Sequence, residues 1–510
     1  IQSLSQPPHQ TKRADKTSVE EVDNVFKRRA MTGFYFRPEQ IFYEDTTHAI
    51  RPTLREEDVQ ALVAPLHHLL QGIHHFQGHE EEHITMQHYF LQTYGEGEII
   101  PFLRFYEDYY RDIKKAGSDS PYTVAPLIQE KRIHRQRWLE EFGKSIKFES
   151  EPSSTLVSLS LEQVDQTNDI VGIQELPEES PSSYGMFIQP FYDYNSAQSP
   201  SLMGVVNSIF PGFGKMISRF LHLFDPAITN EIRLWNGSLT QDALLMEAVD
   251  ASIFNANLHP PLMPFEVHTP GSHNNLTVEH QIPITELAIT FAGDKNRLRL
   301  IHTPSKKTVY LFDLGFQGHR GRSQLFVLLE KFTLVEHLSY FPLVDRINQK
   351  WSQKTSNIGR ENSVQIYPRI TLAERLILQR QSWHFPKNIL PFRESRESNW
   401  AYFVRLQQWR KTHQIPNEVF VYVIQKHHLQ NPEIMASQRV NQDDYKPQYI
   451  CFSNPLLVTL FEKLLYKTPS VLKLEEMLPN SEQLLSFGPD HYVTEFAIQW
   501  YKNQKPLHES

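Results

Sequence analysis

The spacing of apolar residues changes once along this chain, and that change constrains the fold more than any single motif. From residue 53 to about 142, Leu54, Val59, Leu62, Leu66, Leu69 and Leu70 recur at helical intervals. Thr53 ahead of Glu56 and Glu57 supplies a helix start. From Tyr184 the pattern alternates instead: MFIQPFYDY reads as a strand, and 285–292, 297–302 and 308–314 read as successive strands. Such an order predicts an α+β fold, a helical first third followed by mixed, mainly antiparallel sheet-and-helix units.

Boundaries follow from composition. Residues 1–30 form a polar lead-in, and 31–150 a strand plus helical subdomain. Residues 151–183, rich in Ser, Glu, Asp and Pro, read as a linker region with one strand near 155–161. Residues 184–350 and 351–510 then read as two α+β subdomains, the first with a glycine-rich turn. A helix is predicted over 324–340, stopped by the proline of the following FP pair. Further helices are predicted at 400–412 and 452–467, with strands at 365–370, 376–381, 419–424 and the tail HYVTEFAIQWY. No repeat period is present.

Several function classes are excluded early. No window approaches 18 consecutive apolar residues, so no membrane span is expected. Cys451 is the only cysteine, which rules out a disulfide framework and multi-cysteine metal sites and suits a reducing, cytoplasmic compartment. A net charge of -8 argues against a broadly basic nucleic-acid binder but leaves room for a local basic groove. The chain opens on Ile1 with no charged-then-apolar signal region, as expected of a piece of a longer protein.

Four stretches could carry chemistry. HEEEH at 79–83 has zincin spacing, with His75 extending the row. Gly78 and three consecutive glutamates instead fit a polar helix face, with Phe76, Ile84 and Phe90 packing on the other side; no metal is expected. GFQGHRGRS at 315–323 matches neither phosphate-loop fingerprint and reads as an inter-strand loop. PGFGKMISRF at 211–220 has Gly212 and Gly214 for a tight turn, then Lys215 and Arg219 one helical turn apart. That pair suits a phosphate or carboxylate at a helix start, or is a plain surface pair of cations. EKRIHRQRW at 130–138 brings Arg135 and Arg137 beside Trp138, a solvated face or a nucleic-acid contact. No G-x-S-x-G is present.

Several of these stretches, in order, resemble the tRNA-dependent activating domain of class I lanthipeptide (lantibiotic) dehydratases. They are FLQTYGEGEIIPFLRFYED, VNSIFPGFGKMISRF, NANLHPPLMPFEVHTPG, YPRITLAERLILQRQSWHFP, QIPNEVFV, YKPQYICFSNPLLVTLFEKLL and LKLEEMLP. One departure is that Cys451 stands where the family has aspartate. The resemblance covers roughly residues 31–500 and implies part of the large N-terminal domain, without the winged-helix peptide-recognition element or the elimination domain. It implies glutamyl transfer from glutamyl-tRNA, a co-substrate and not a bound cofactor, to Ser/Thr hydroxyls of a precursor peptide. Implied partners are the peptide, aminoacyl-tRNA and an elimination domain or partner enzyme; a homodimer is a further expectation. By resemblance Arg219 is the catalytic cation and Lys215 a second phosphate-binding one; the basic run 130–138 offers Arg135 and Arg137 to tRNA phosphate. Asp45, in FYEDT, would orient the amino group of the aminoacyl moiety, or cap a strand end. Two alternatives stand beside this reading: a peptide aminoacyl-tRNA ligase of the same family, and a non-catalytic peptide- or tRNA-binding fragment.

Overall fold

A computed structural model describes residues 53–76, 80–116, 125–148, 155–173, 183–193, 201–240, 242–250, 257–293, 297–316, 322–333, 338–356, 364–424, 446–487 and 490–501. Contacts divide the chain at Pro52, and everything below concerns the unit from Thr53 onward. The helices are α1 (Glu56–Gly72), α2 (Glu80–Thr93), α3 (Phe102–Tyr109), α4 (Ala125–Ser145), α5 (Leu161–Val171), α6 (Pro226–Gly237), α7 (Gln324–Glu330), α8 (Phe341–Ser356), α9 (Asn399–Thr412) and α10 (Pro455–Lys467). The first ten strands are β1 (Ile99–Pro101), β2 (Leu156–Leu159), β3 (Ser183–Asp193), β4 (Ser201–Pro211), β5 (Ala243–Ala248), β6 (Phe265–His268), β7 (Gln281–Pro283), β8 (Leu287–Ala292), β9 (Arg297–His302) and β10 (Thr308–Phe312). The rest are β11 (Gln365–Tyr367), β12 (Arg369–Leu372), β13 (Leu376–Gln379), β14 (Ser382–Pro386), β15 (Glu418–Ile424), β16 (Gln448–Cys451), β17 (Val471–Glu476), β18 (Leu485–Phe487), β19 (Asp490–Tyr492) and β20 (Phe496–Tyr501).

Three larger sheets organise these strands, bearing out the α+β expectation. A seven-stranded sheet runs β1-β8-β9-β10-β5-β6-β7. It is antiparallel from β1 to β10, then parallel from β10 through β7. A six-stranded sheet runs β2-β12-β13-β4-β3-β20, and a five-stranded antiparallel sheet runs β11-β14-β17-β15-β16. Each has its own core. Helices α1, α4, α5 and α8 pack on the six-stranded sheet through Leu66, Trp138, Val164 and Leu343. Helices α2, α3 and α7 cover the seven-stranded one through Phe90, Phe105 and Leu329, and α9 and α10 cover the third through Leu406 and Phe461.

Some elements depart from the sequence reading for identifiable reasons. The strand expected near 155–161 is present as β2, but the stretch after it, expected to be linker, forms α5, whose start carries a capping box: Ser160 accepts from the backbone, and its own N–H donates to Gln163 Oε1 at 3.0 Å. The helix expected over 324–340 ends at Glu330, and a second begins at Phe341. Pro342 opens that helix where a stop was expected, because the first turn has no partner for a proline N–H anyway. No helix among the described residues is long and apolar enough to cross a membrane.

Trp138 anchors the helical layer. It is fully buried, stacks on Phe142 at 5.1 Å and donates its indole N–H to Asn168 Oδ1 at 2.7 Å. Trp138→Ala should cost about 3–5 kcal/mol, a large-to-small loss in a packed site, read as a lower denaturant midpoint in urea unfolding.

Candidate functional site

The glycine-rich turn that follows β4 is held from several sides. Gly212 lies so close to Ser183 that a Cβ would sit 1.9 Å from its Oγ. Its N–H donates to the Ser183 carbonyl at 2.9 Å. Phe213 (φ 61°) and Gly214 (φ 90°) then turn through the left-handed region, and Gly214 N–H donates to Gln499 Oε1 at 2.6 Å. Asn236 of α6 donates to the Phe213 carbonyl at 3.0 Å while accepting from Tyr501 Oη at 2.7 Å.

Lys215 leaves this turn inward. It is 8% exposed, and its ammonium donates to the Asp313 carbonyl at 2.8 Å and lies 3.3 Å from Asp313 Oδ2. Asp313, just past the end of β10, also accepts from Gly315 N–H at 3.2 Å and from Arg322 Nη2 at 3.4 Å. Arg322 is itself buried, lies 3.7 Å from Asp250 Oδ2 and covers the Phe326 ring at 4.2 Å. Ser218 completes the stitch by donating to the Leu314 carbonyl at 3.1 Å.

A second buried pair adjoins the same strand ends. Glu247, beside Phe312 in the β5–β10 register, meets His259 Nε2 at 2.9 Å, and His259 Nδ1 donates to the Pro260 carbonyl at 2.9 Å. Burial alone pulls the His259 imidazole down, but the Glu247 carboxylate and then the Pro260 carbonyl carry it up to about 9. The other Glu247 oxygen is buried and has no hydrogen-bond partner among the described residues. Glu247, Asp250 and Asp313 therefore face Lys215, Arg322 and protonated His259 where β5 and β10 end.

This arrangement changes the reading of Lys215 and Arg219. They were expected one helical turn apart at the start of a helix. Instead Lys215 lies in the turn, and only a six-residue 3-10 segment, Ser218–Leu223, follows before Asp225 and Pro226 open α6. Lys215 is spent on Asp313 and does not face an incoming anion. Arg219 is half-buried, with its guanidinium over the Phe220 ring at 4.9 Å. Of the cations carried by resemblance, it stands nearest in sequence to the stitched turn while keeping access to solvent. Asp45 lies outside the described residues.

Arg135 and Arg137 belong to α4, on the helical layer. Arg137 is exposed; Arg135 donates to the His75 carbonyl at 3.2 Å and lies 5.4 Å over the Phe76 ring. The described side chains of HEEEH are committed to neighbours. Glu81 takes a two-pronged contact from Arg132 at 2.8 Å, Glu82 accepts from Lys114 at 2.7 Å and from Tyr109, and His83 Nε2 donates to the Lys331 carbonyl at 2.6 Å. His75 is lowered to about 3 by burial, then by His74, and its ring packs on Phe76. His79 lies outside the described residues, among which no three His, Cys, Asp or Glu side chains converge for a metal. Phe90 packs inward as expected, whereas Phe76 joins a different core, on a 3-10 turn of its own. Cys451, in the family's aspartate position, contacts Asn417 Nδ2 at 3.3 Å and Ser453 Oγ at 3.0 Å.

The participants that the sequence reading missed are Asp313, His259, Glu247 and Asp250. The available signal was charge placed just beyond apolar strands, as in YLFDLG.

Residues 201–429 match the family model described as lantibiotic dehydratase, N terminus, so the ordered motifs are borne out there. No curated protein matches the chain. Among solved structures the fold is similar to that of the glutamylation domain TbtB from thiomuracin biosynthesis. The identity is 19% and the TM-score 0.64, over 96% of this chain and 56% of that one. The same domain bound to 5'-phosphodesmethylglutamycin gives the same values. The tRNA dependent lantibiotic dehydratase MibB from Microbispora sp. 107891 is similar at 14% identity and TM-score 0.52, over 83% of this chain and 38% of that one. This chain thus spans little more than half the length of TbtB, and the likeness is one of fold.

Two outcomes follow from the buried charges. Lys215→Met, which strands part of Asp313, should destabilise by about 3–5 kcal/mol, and Asp313→Asn in the same chain should recover part of it in a double-mutant cycle. His259 titrates higher folded than its ordinary 6.5, so its contribution is complete below about pH 6.5 and lost as pH rises through about 9. Urea midpoints should fall across that window in the unmodified chain and change less in His259→Gln.

Proposed function

We propose that this chain, a lantibiotic dehydratase N-terminal domain by its family match and fold, transfers glutamate from glutamyl-tRNA to Ser/Thr hydroxyls of a precursor peptide. The carrying observation is the coincidence of the family match with the stitched glycine-rich turn and its half-buried Arg219. A Ser or Thr hydroxyl is a poor leaving group, and esterification converts it into a carboxylate that departs readily. In the transfer, the side-chain oxygen attacks the glutamyl carbonyl. The ester bond to the tRNA ribose breaks, and the hydroxyl proton ends on the released ribose oxygen. Loss of glutamate to leave the dehydroamino acid falls to an elimination domain or partner enzyme.

Charge drives the assignment of roles. Negative charge grows on the acyl oxygen in the transition state while the carrier brings phosphates, so a fixed cation is needed where both meet. Arg219 serves there, and the Lys215–Asp313 pair positions it by fixing the turn. Arg137 is the exposed α4 cation offered to tRNA phosphate, Arg135 supports it, and Asp45 is the carboxylate assigned to the amino group. A charged-tRNA substrate places the reaction in the cytoplasm, and no bound cofactor is called for.

Incubating the chain with precursor peptide, glutamate, tRNA and the cognate synthetase should add a glutamyl mass at Ser or Thr, mapped by fragmentation. Arg219→Ala should lower the transfer rate by about 10²–10³-fold, with thermal unfolding unchanged. A mass added at the peptide C-terminus would point to ligation instead, and no addition with any charged tRNA would sink the proposal.

A further inference from the structure

Among the described residues, six strands lie at the edges of the three larger sheets, and five of them are blunt. Strands β1 and β7 have three residues each and end in a proline, β11 also has three, and β2 and β16 have four. Short strands and prolines are how soluble proteins keep sheet edges from pairing with other chains. The sixth edge, β20, is different. It has six residues, FAIQWY, with no charge, no proline and a register on β3 without a bulge.

Register shows which of its main-chain groups are used. The Gly212 N–H donates to the Ser183 carbonyl, which turns the N–H and C=O of Ser183, Gly185 and Phe187 toward β4. Those of Tyr184 and Met186 therefore face β20, where Trp500 and Ile498 stand opposite them. The N–H and C=O groups of Ala497 and Gln499 then point away from the sheet, and they have no partner among the described residues.

Both faces of the strand are tied down, so this open edge is rigid. Phe496, Ile498 and Trp500 pack against the core of the six-stranded sheet, and Trp500 Nε1 donates to His67 Nδ1 at 3.1 Å. On the other face Gln499 Oε1 holds the Gly214 N–H, and the Tyr501 hydroxyl holds Asn236 of α6, which in turn holds the Phe213 carbonyl. The Tyr501 ring stacks on Trp235 at 5.2 Å. Ala497, between these anchors, is exposed. The edge with unpaired main-chain groups is thus built from the same side chains that fix the glycine-rich turn.

We propose that β20 is the docking edge for the substrate peptide: the segment carrying the Ser or Thr to be esterified adds to it as a further strand. Unpaired main-chain groups on a rigid edge select an extended main chain, with little demand on its sequence. Every second side chain of the added strand falls on the face shared by Gln499, Tyr501 and the turn, and the one between is turned away. A second copy of this chain is the competing occupant. The substrate peptide is favoured because a strand paired with β20 runs alongside the residues that hold the turn. The inference rests on the glutamyl-transfer reading for its natural occupant and concerns the peptide, not the tRNA.

The test uses the full chain and a fluorescein-labelled octapeptide of alternating Thr and Val in fluorescence anisotropy. Ala497→Pro removes one outward N–H and leaves the ladder to β3 intact, since proline is tolerated on an edge where its nitrogen faces solvent. It should weaken binding about tenfold, whereas Ala497→Leu, which keeps the N–H, should bind within about twofold of the unmodified chain. N-methylation of the fourth and fifth peptide nitrogens, one on each edge of the strand, should weaken binding to the unmodified chain about as much, whichever way the peptide runs. No binding by the parent octapeptide, or equal binding by the proline and leucine variants and by the methylated and parent peptides, would overturn the assignment. So would a concentration-dependent dimer in sedimentation that Ala497→Pro dissolves, which gives the edge to a second copy. Failure of the transfer reading looks different: no charged tRNA then supports transfer by the unmodified chain, whatever the octapeptide does.

Discussion

Asp313 ties the two larger sheets together at the candidate site. Its carboxylate and carbonyl receive the Lys215 ammonium, the Gly315 N–H and the Arg322 guanidinium. Lys215 comes from the turn after β4 of the six-stranded sheet, and Asp313 follows β10 of the seven-stranded sheet. A carboxylate taken this far out of water is tolerable only when nearly all its acceptor capacity is used, and here it is. Removing one donor leaves part of that buried charge without compensation. That gives a turn which cannot drift, and a turn which cannot drift presents Arg219 at a fixed place.

Much of the fold could be read from the chain because local pattern and tertiary role agree. The strand expected at 297–302 is Arg297–His302, and those expected near 285–292 and 308–314 are Leu287–Ala292 and Thr308–Phe312. The helices at Asn399–Thr412 and Pro455–Lys467 were legible too; Ser398 and Asn454 cap them as their residue types suggest. Helix Leu161–Val171 was not, because only Val164, Thr167 and Val171 are buried and the rest is polar. Its capping box, S-x-x-Q, was the signal to heed. The FP pair misled because a proline stops a helix from its interior but suits its first turn.

The site was legible only in part, and the reason is distance along the chain. Two glycines followed by Lys215 and Arg219 announced a special turn. Nothing local announced that Lys215 would meet a carboxylate 98 residues later, or that Glu247 would meet His259. Burial then reverses the meaning of a residue: an ammonium read as a phosphate contact becomes a structural tie once it is 8% exposed and paired. HEEEH illustrates the same rule at the surface, where Glu81, Glu82 and His83 are consumed by Arg132, Lys114 and a backbone carbonyl.

The distribution of charge differs between two parts of the molecule. Around β5 and β10, three acidic and three basic groups are buried together and cancel, which stiffens the framework, while Arg219 and Arg137 keep contact with solvent. At the five-stranded sheet the balance is struck differently: Lys473 is tied to Glu475, His384 is neutral, and hydroxyl, amide and ring surfaces remain. With a net charge of -8, any local cationic character has to come from a few placed side chains and not from the chain as a whole.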